Sequence, residues 1–127
     1  MPAYRDPFGD GSPGPYLSLR VSWNGAHRDI LALLDTGADL TQIPRLTAEA
    51  LRLEQTDEVP VTSAHGDEKD KPLFVADLEF EGLSFPAVSI IGDDYPIALV
   101  GRDLLNELNS AFEGPARQFA VTRPDPR

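Results

Sequence analysis

An apolar run, Ile30-Leu31-Ala32-Leu33-Leu34, ends abruptly in Asp35-Thr36-Gly37-Ala38-Asp39. A carboxylate delivered at the end of an interior strand can serve as acid or base toward a bound water. A second segment has the same build: Ala98-Leu99-Val100 is apolar, then come Gly101, Arg102, Asp103 and the pair Leu104-Leu105. The competing reading of Asp35 is a turn aspartate that caps the loop after a strand, a common use of this residue. Other chemistry is scarce. The absence of cysteine removes thiol nucleophiles, thiolate zinc sites and disulfides. His27 and His65 are the only histidines and are poorly placed to hold a metal, so neither a metal nor a cofactor is expected.

The elements that must position these residues read as β-structure. The chain has 127 residues, 41% of them hydrophobic, which suffices for one core and one domain. Its 12 prolines and 10 glycines suit short strands and tight turns. Residues 1–15 include DPFGDGSPGP and read as a flexible lead-in, leaving residues 16–127 as the folded domain. Leu17, Leu19, Val21 and Trp23 alternate with Ser18, Arg20 and Ser22, the period of a strand with one buried face. Asn24-Gly25 predicts a hairpin turn, in a loop that could reach His27, and residues 29–34 form the return strand that delivers Asp35. A short helix is expected over residues 47–53 with Thr47 as its N-cap. Strands are expected over 59–63, 73–80, 83–91 and 97–100, and residues 64–71 read as a polar, exposed hairpin tip. A helix should follow from Arg102 to about Leu108, then two brief β segments around Phe112 and over 118–121.

The two chemical segments together resemble the retroviral, or retropepsin-like, aspartic proteases, whose pattern is an apolar run into DTGA and later an apolar pair, glycine, arginine, an acidic or amide residue and a helix. The resemblance covers residues 16–121, and the hairpin-rich stretch between the segments agrees with it. It implies a mostly β fold: a closed, barrel-like single lobe with one short C-terminal helix. It also implies an activity, hydrolysis of a peptide bond by water. Doing so without metal or covalent intermediate needs a base to activate the water and an acid to serve the carbonyl oxygen. Two adjacent carboxylates provide both, because their repulsion leaves one proton shared between them. Since the chain carries a single DTG, the resemblance implies a homodimer in which Asp35 of each copy supplies half of the pair.

The resemblance assigns roles to the neighbours. Thr36 would lock the two catalytic loops together through the partner's backbone, and Gly37 would admit the substrate backbone closely. Ala38, where other members carry serine, removes a hydroxyl that could stabilise the ionised pair. Asp39 and Arg102 would form a charge-assisted pair tying the loop to the C-terminal helix, and Gly101 would let that helix pass close beneath. Substrate pockets would draw on Gly37, Asp39, Leu40, Ala64, His65, Gly66 and Ile97. In the family a glycine-rich hairpin closes over substrate as a flap; here Gly66 stands alone amid charge, and a solvated hairpin is the alternative. Terminal strands build much of the family's dimer interface, a role open here to residues 118–121 and, at the other end, to residues 1–4.

The net charge of −10, without a basic stretch, disfavours nucleic acid. No apolar run nears the roughly 20 residues a membrane span requires, and no leader pattern opens the chain, so a cytoplasmic protein without membrane attachment is expected. The leading expectation is an endopeptidase acting on an extended polypeptide. The alternative is a catalytically silent module of the same shape that dimerises or binds peptides. A DTG loop from an actin-like ATPase is excluded by the short chain.

Overall fold

The computed structural model describes residues 1–62 and 66–124. The alternating segment forms β1 (Tyr16–Trp23), with Leu17, Leu19 and Val21 fully buried. Asn24 and Gly25 both take positive φ, 50° and 85°, as a two-residue hairpin turn requires. The return strand β2 (Ala26–Leu34) therefore begins before the expected residue 29 and pairs with β1 from Trp23↔Ala26 to Tyr16↔Leu33.

From β2 the sheet passes to β7 (Ala98–Val100), β3 (Gln42–Pro44), β6 (Leu83–Asp93) and β5 (Glu68–Phe80). The β2–β7 and β3–β6 pairings are parallel. β5 then returns to β1 through Arg20↔Glu79, Val21↔Leu78 and Ser22↔Asp77, closing a barrel. Inward side chains of these strands, including Leu17, Leu19, Ile43, Leu78, Phe80, Ile90 and Val100, form the core. Each such burial stabilises the fold by about 1.5–3 kcal/mol relative to exposure. Trp23 packs against this core.

β4 (Gln55–Thr62) lies outside the closure and pairs only with the first half of β5, from Gln55↔Phe74 to Thr62↔Glu68. Residues 68–71, expected in a loop, are thus strand: a ribbon with exposed faces accepts charged side chains without burying them. The helices also differ from expectation. α1 (Arg45–Ala50) starts directly after Pro44, whose φ of −58° suits a helix start, and Thr47 lies inside it instead of capping it. α2 (Arg102–Leu105) ends early, and the remaining expected turn continues as the tighter bonds Glu107 N→Leu104 O and Leu108 N→Leu105 O.

A second, two-stranded sheet pairs β8 (Asn109–Glu113) with β9 (Gln118–Thr122). The first residues join it: Ala3 bridges Gln118, Tyr4 N donates to Arg117 O at 2.7 Å, and Phe119 N donates to Pro2 O at 3.0 Å. The lead-in also pairs Arg5 with Gly14, and Phe8 meets Tyr16 edge-on. Its prolines and glycines prevent a long ladder, yet isolated bridges suffice to lay it against the domain. β9 lies between β8 and residue 3, and this contact occupies its outer edge at residues 117–119.

Candidate active site

β2 carries Asp35 to the end of the barrel because Ala32 and Leu34 are buried and parallel β7 fixes their register at Leu34↔Val100. Asp35 N continues that ladder by donating to Val100 O at 2.9 Å. The chain then turns: Ala38 N donates to Asp35 O at 3.2 Å, and Gly37 N donates to Asp35 Oδ1 at 2.8 Å. A Cβ on Gly37 would stand 3.1 Å from that same oxygen, so glycine keeps the carboxylate approachable. Asp35 is half-buried, while Thr36 and Gly37 are exposed. The carboxylate is thus partly exposed, beside exposed backbone.

The loop is held from below by the second segment. At Gly101 a Cβ would lie 2.7 Å from Leu40 C, 2.8 Å from Leu40 O and 2.9 Å from Ala38 O, all backbone atoms that cannot swing aside. Only glycine permits this approach. It allows Arg102 N to donate to Ala38 O at 2.8 Å and Asp103 N to donate to Asp39 O at 3.2 Å. The Arg102 guanidinium pairs with the Asp39 carboxylate and donates to Thr36 O at 2.9 Å, spanning the loop from both ends.

Thr41 does this work unannounced by the sequence, together with Asp103 of the second segment. Thr41 is fully buried, and among the described residues it is the buried polar side chain of the core. Its hydroxyl accepts from Gly101 N at 3.1 Å and donates to Asp103 Oδ1 at 2.8 Å. That oxygen also accepts from Thr41 N at 3.0 Å and Leu104 N at 2.9 Å. The signal available was a lone threonine between Leu40 and the Gln42-Ile43 strand, which by itself names no partner.

A cleft of about 380 Å³ opens beside the loop, lined by Gly37, Ala38, Asp39, Leu40, Gln42 and Ile91 on one side and by Val59, Pro60, Val61 and Thr62 of β4 on the other. Of the expected pocket residues, Gly37, Asp39 and Leu40 line it. Ile97 does not: it is buried, with 5% exposure, because its side chain belongs to the interior before β7. Gly66 sits exposed near the hairpin tip with φ of 85°, away from the cleft lining, and Ala64 and His65 lie outside the described residues. Val59 and Val61 are half-buried between exposed Pro60 and Thr62, a period-two signal for a strand wall. The hairpin is anchored at its base, where Lys71 Nζ donates to Asp93 Oδ1 at 2.8 Å. Burial pushes the Asp93 carboxyl up, but the Lys71 and Asp94 N–H bonds, with the charges of Lys71 and Arg45, outweigh it and hold the group below its ordinary range. Among the described residues no cluster of three or more His, Cys, Asp or Glu could hold a metal ion, and no helix is long and apolar enough to cross a membrane.

Residues 19–104, more than half of the chain, match the profile of the aspartyl protease family. A search of curated proteins finds no match. Among solved structures, an EIAV protease complexed with an inhibitor superposes with a TM-score of 0.58 at 17% identity, over 78% of this chain and 90% of that one. A retropepsin-like aspartic protease from Rickettsia conorii gives 0.58 at 20% identity, over 87% and 82%. The retroviral protease-like domain of Ddi1 from Leishmania major gives 0.51 at 17% identity, over 83% and 86%. The closed, mostly β lobe is therefore the retropepsin-like fold, here with α1 as a short helix beyond the C-terminal one expected.

Proposed function

This chain belongs to the aspartyl protease family, and on that premise we propose that it is an aspartic endopeptidase whose catalytic pair is one Asp35 from each of two identical subunits. The observation that carries the reading is the placement of Asp35: half-exposed, fixed by Gly37 N at 2.8 Å, on a loop that borders an open cleft. A single, partly exposed carboxylate leaves half of the acid-base machinery to be supplied from outside. A second copy supplies an identical group. One carboxylate then takes a proton from the attacking water, while the protonated one serves the carbonyl oxygen; collapse breaks the C–N bond and the amine leaves with a proton.

The substrate class in this proposal is an extended polypeptide. β4 presents an unpaired edge and the half-buried Val59 and Val61 to the cleft, which suits backbone pairing with a strand-like substrate and apolar side-chain contacts. Asp39, Arg102, Thr36, Ala38 and Gly101 hold the loop, and Gly37, Asp39 and Leu40 contribute the cleft floor. Replacing Asp35 with Asn tests the reading. Cleavage of a denatured protein mixture should fall by at least about a hundredfold with the fold retained. Undiminished cleavage by a clean preparation of Asp35→Asn would refute the catalytic role and leave a silent binding module.

A further inference from the structure

The strand that delivers Asp35 carries other side chains to the same side. Ala32 and Leu34 point into the barrel, so Leu33 and Asp35, which alternate with them, lie on its outer face. Direct pairing extends that face across four neighbouring strands: Tyr16 stands opposite Leu33, Leu33 opposite Leu99, and Leu99 opposite Gln42. All four are half-buried. Gln42 lines the cleft, so the row runs unbroken from the cleft to the start of β1, and at Leu33 it lies about 7 Å from Asp35 along the strand.

At Tyr16 the row would open to solvent if the residues before it were loose, but a folded loop stops it there. Arg5 N donates to Gly14 O at 3.0 Å and Gly14 N donates to Arg5 O at 2.9 Å, so the two ends of residues 5–14 meet. Within the loop the Asp6 carboxylate accepts from Asp10 N at 3.2 Å and from Gly11 N at 3.0 Å. The loop sits on the row itself: Gly14 is buried, and a Cβ there would lie 3.2 Å from the Tyr16 ring and 3.5 Å from Leu33 Cδ1. From this base Phe8 meets Tyr16 edge-on, with ring centroids 6.0 Å apart, yet keeps 54% exposure. Burial raises the Tyr16 phenol above its ordinary value, and nearby Tyr95, Asp10 and Asp6 add to the rise, so the exposed Tyr95 borders the same ring.

We propose that this lead-in loop is a specificity element of the active site: Phe8, with Tyr16 and Leu33, forms the end wall and floor of a subsite for an aromatic side chain of the substrate beside the bond being cut. The inference rests on the peptidase reading above and deepens it by naming the residue type that the site selects. Two observations favour a substrate side chain as the occupant. The row is continuous with the cleft and shares a face with Asp35, so a strand-like peptide laid past the carboxylate directs alternate side chains onto it. The charged groups near it, Asp6 and Asp10, are taken up by backbone N–H groups of the loop, which leaves the wall to offer apolar contact. An aromatic ring seated there buries its area on Leu33 and gains an edge or stacked contact with Phe8.

Calorimetric binding of two non-cleavable hydroxyethylene peptide mimics to the full chain tests the proposal. The mimics are alike except that the side chains flanking the isostere are benzyl in one and methyl in the other. Wild type should bind the benzyl mimic at least about a hundredfold more tightly. Phe8→Ala should cut that preference at least about tenfold, whereas Phe8→Tyr, which keeps the ring, should retain it, with circular dichroism unchanged in both. No preference in wild type, a preference undiminished in Phe8→Ala, or an equal loss for both mimics would overturn the proposal. The outcomes separate this claim from the catalytic one. If the benzyl preference depends on Phe8 but Asp35→Asn still cleaves protein, the subsite stands and the catalytic reading falls. If cleavage needs Asp35 while Phe8→Ala keeps the preference, the subsite alone falls.

Discussion

Ala38 follows the exposed Gly37 and donates its N–H to Asp35 O at 3.2 Å, so it belongs to the turn that carries the carboxylate. A hydroxyl that donates to an ionised carboxylate favours the ionised form. Ala38→Ser should therefore move the optimum of the pH–rate profile toward acid, and an unmoved or less acidic optimum would count against this account. Thr41 belongs to the same scale but acts on stability. Thr41→Val keeps the shape and removes the hydroxyl, leaving Gly101 N without its acceptor inside the core. The expected cost is roughly 1–3 kcal/mol of unfolding free energy, read from urea midpoints. Asp35, Gly101 and Arg102 could be singled out from sequence because each lies in a short contiguous pattern whose chemistry is local. Thr41 could not, nor could its bond to Asp103, since that bond joins residues 62 positions apart and depends on how two segments meet.

Elements behave differently. The hairpin of β4 and β5 was legible as a hairpin, but its charged tip concealed how far the strands extend, because an exposed ribbon imposes no apolar period on residues 68–71. Strand β1 was read correctly for the opposite reason: one face is fully buried, so the alternation of Leu17, Leu19 and Val21 survives in the sequence. The cleft wall of Val59, Pro60, Val61 and Thr62 is not legible in the sequence, because only the folded hairpin of β4 and β5 brings it opposite the Asp35 loop. The ion pair of Lys71 with Asp93 ties this hairpin to the end of β6. Asp93 has a folded pKa below its ordinary, unfolded value. It therefore adds stability that is present above the ordinary carboxylate range and is lost as pH falls through the lower folded value. Asp93→Asn should lower the urea midpoint at neutral pH, and the difference from wild type should shrink as pH falls through the depressed folded value and the carboxyl becomes protonated. A difference that persists unchanged in acid would assign the effect to packing.

At the scale of the whole molecule, the lobe is closed around its own core, yet the Asp35 residue is partly exposed and every residue of β8 is exposed. These features make sense together if the functional unit is two chains. Each copy carries a net charge of −10, so any pairing of two copies would work against repulsion that salt screens. The strands and turns were legible in the sequence and the closed barrel was implied by the family resemblance, whereas the exposure of β8 was not foreseeable: its sequence alternates weakly, and the burial of Phe119 shows which face Phe112 shares. The shared carboxylate pair is tested most directly by calorimetric titration with a statine-type transition-state mimic such as pepstatin. A site built from two Asp35 side chains takes up one inhibitor for every two chains, and Asp35→Asn removes that binding. Saturation at one inhibitor per chain, with each protomer binding independently, would contradict it.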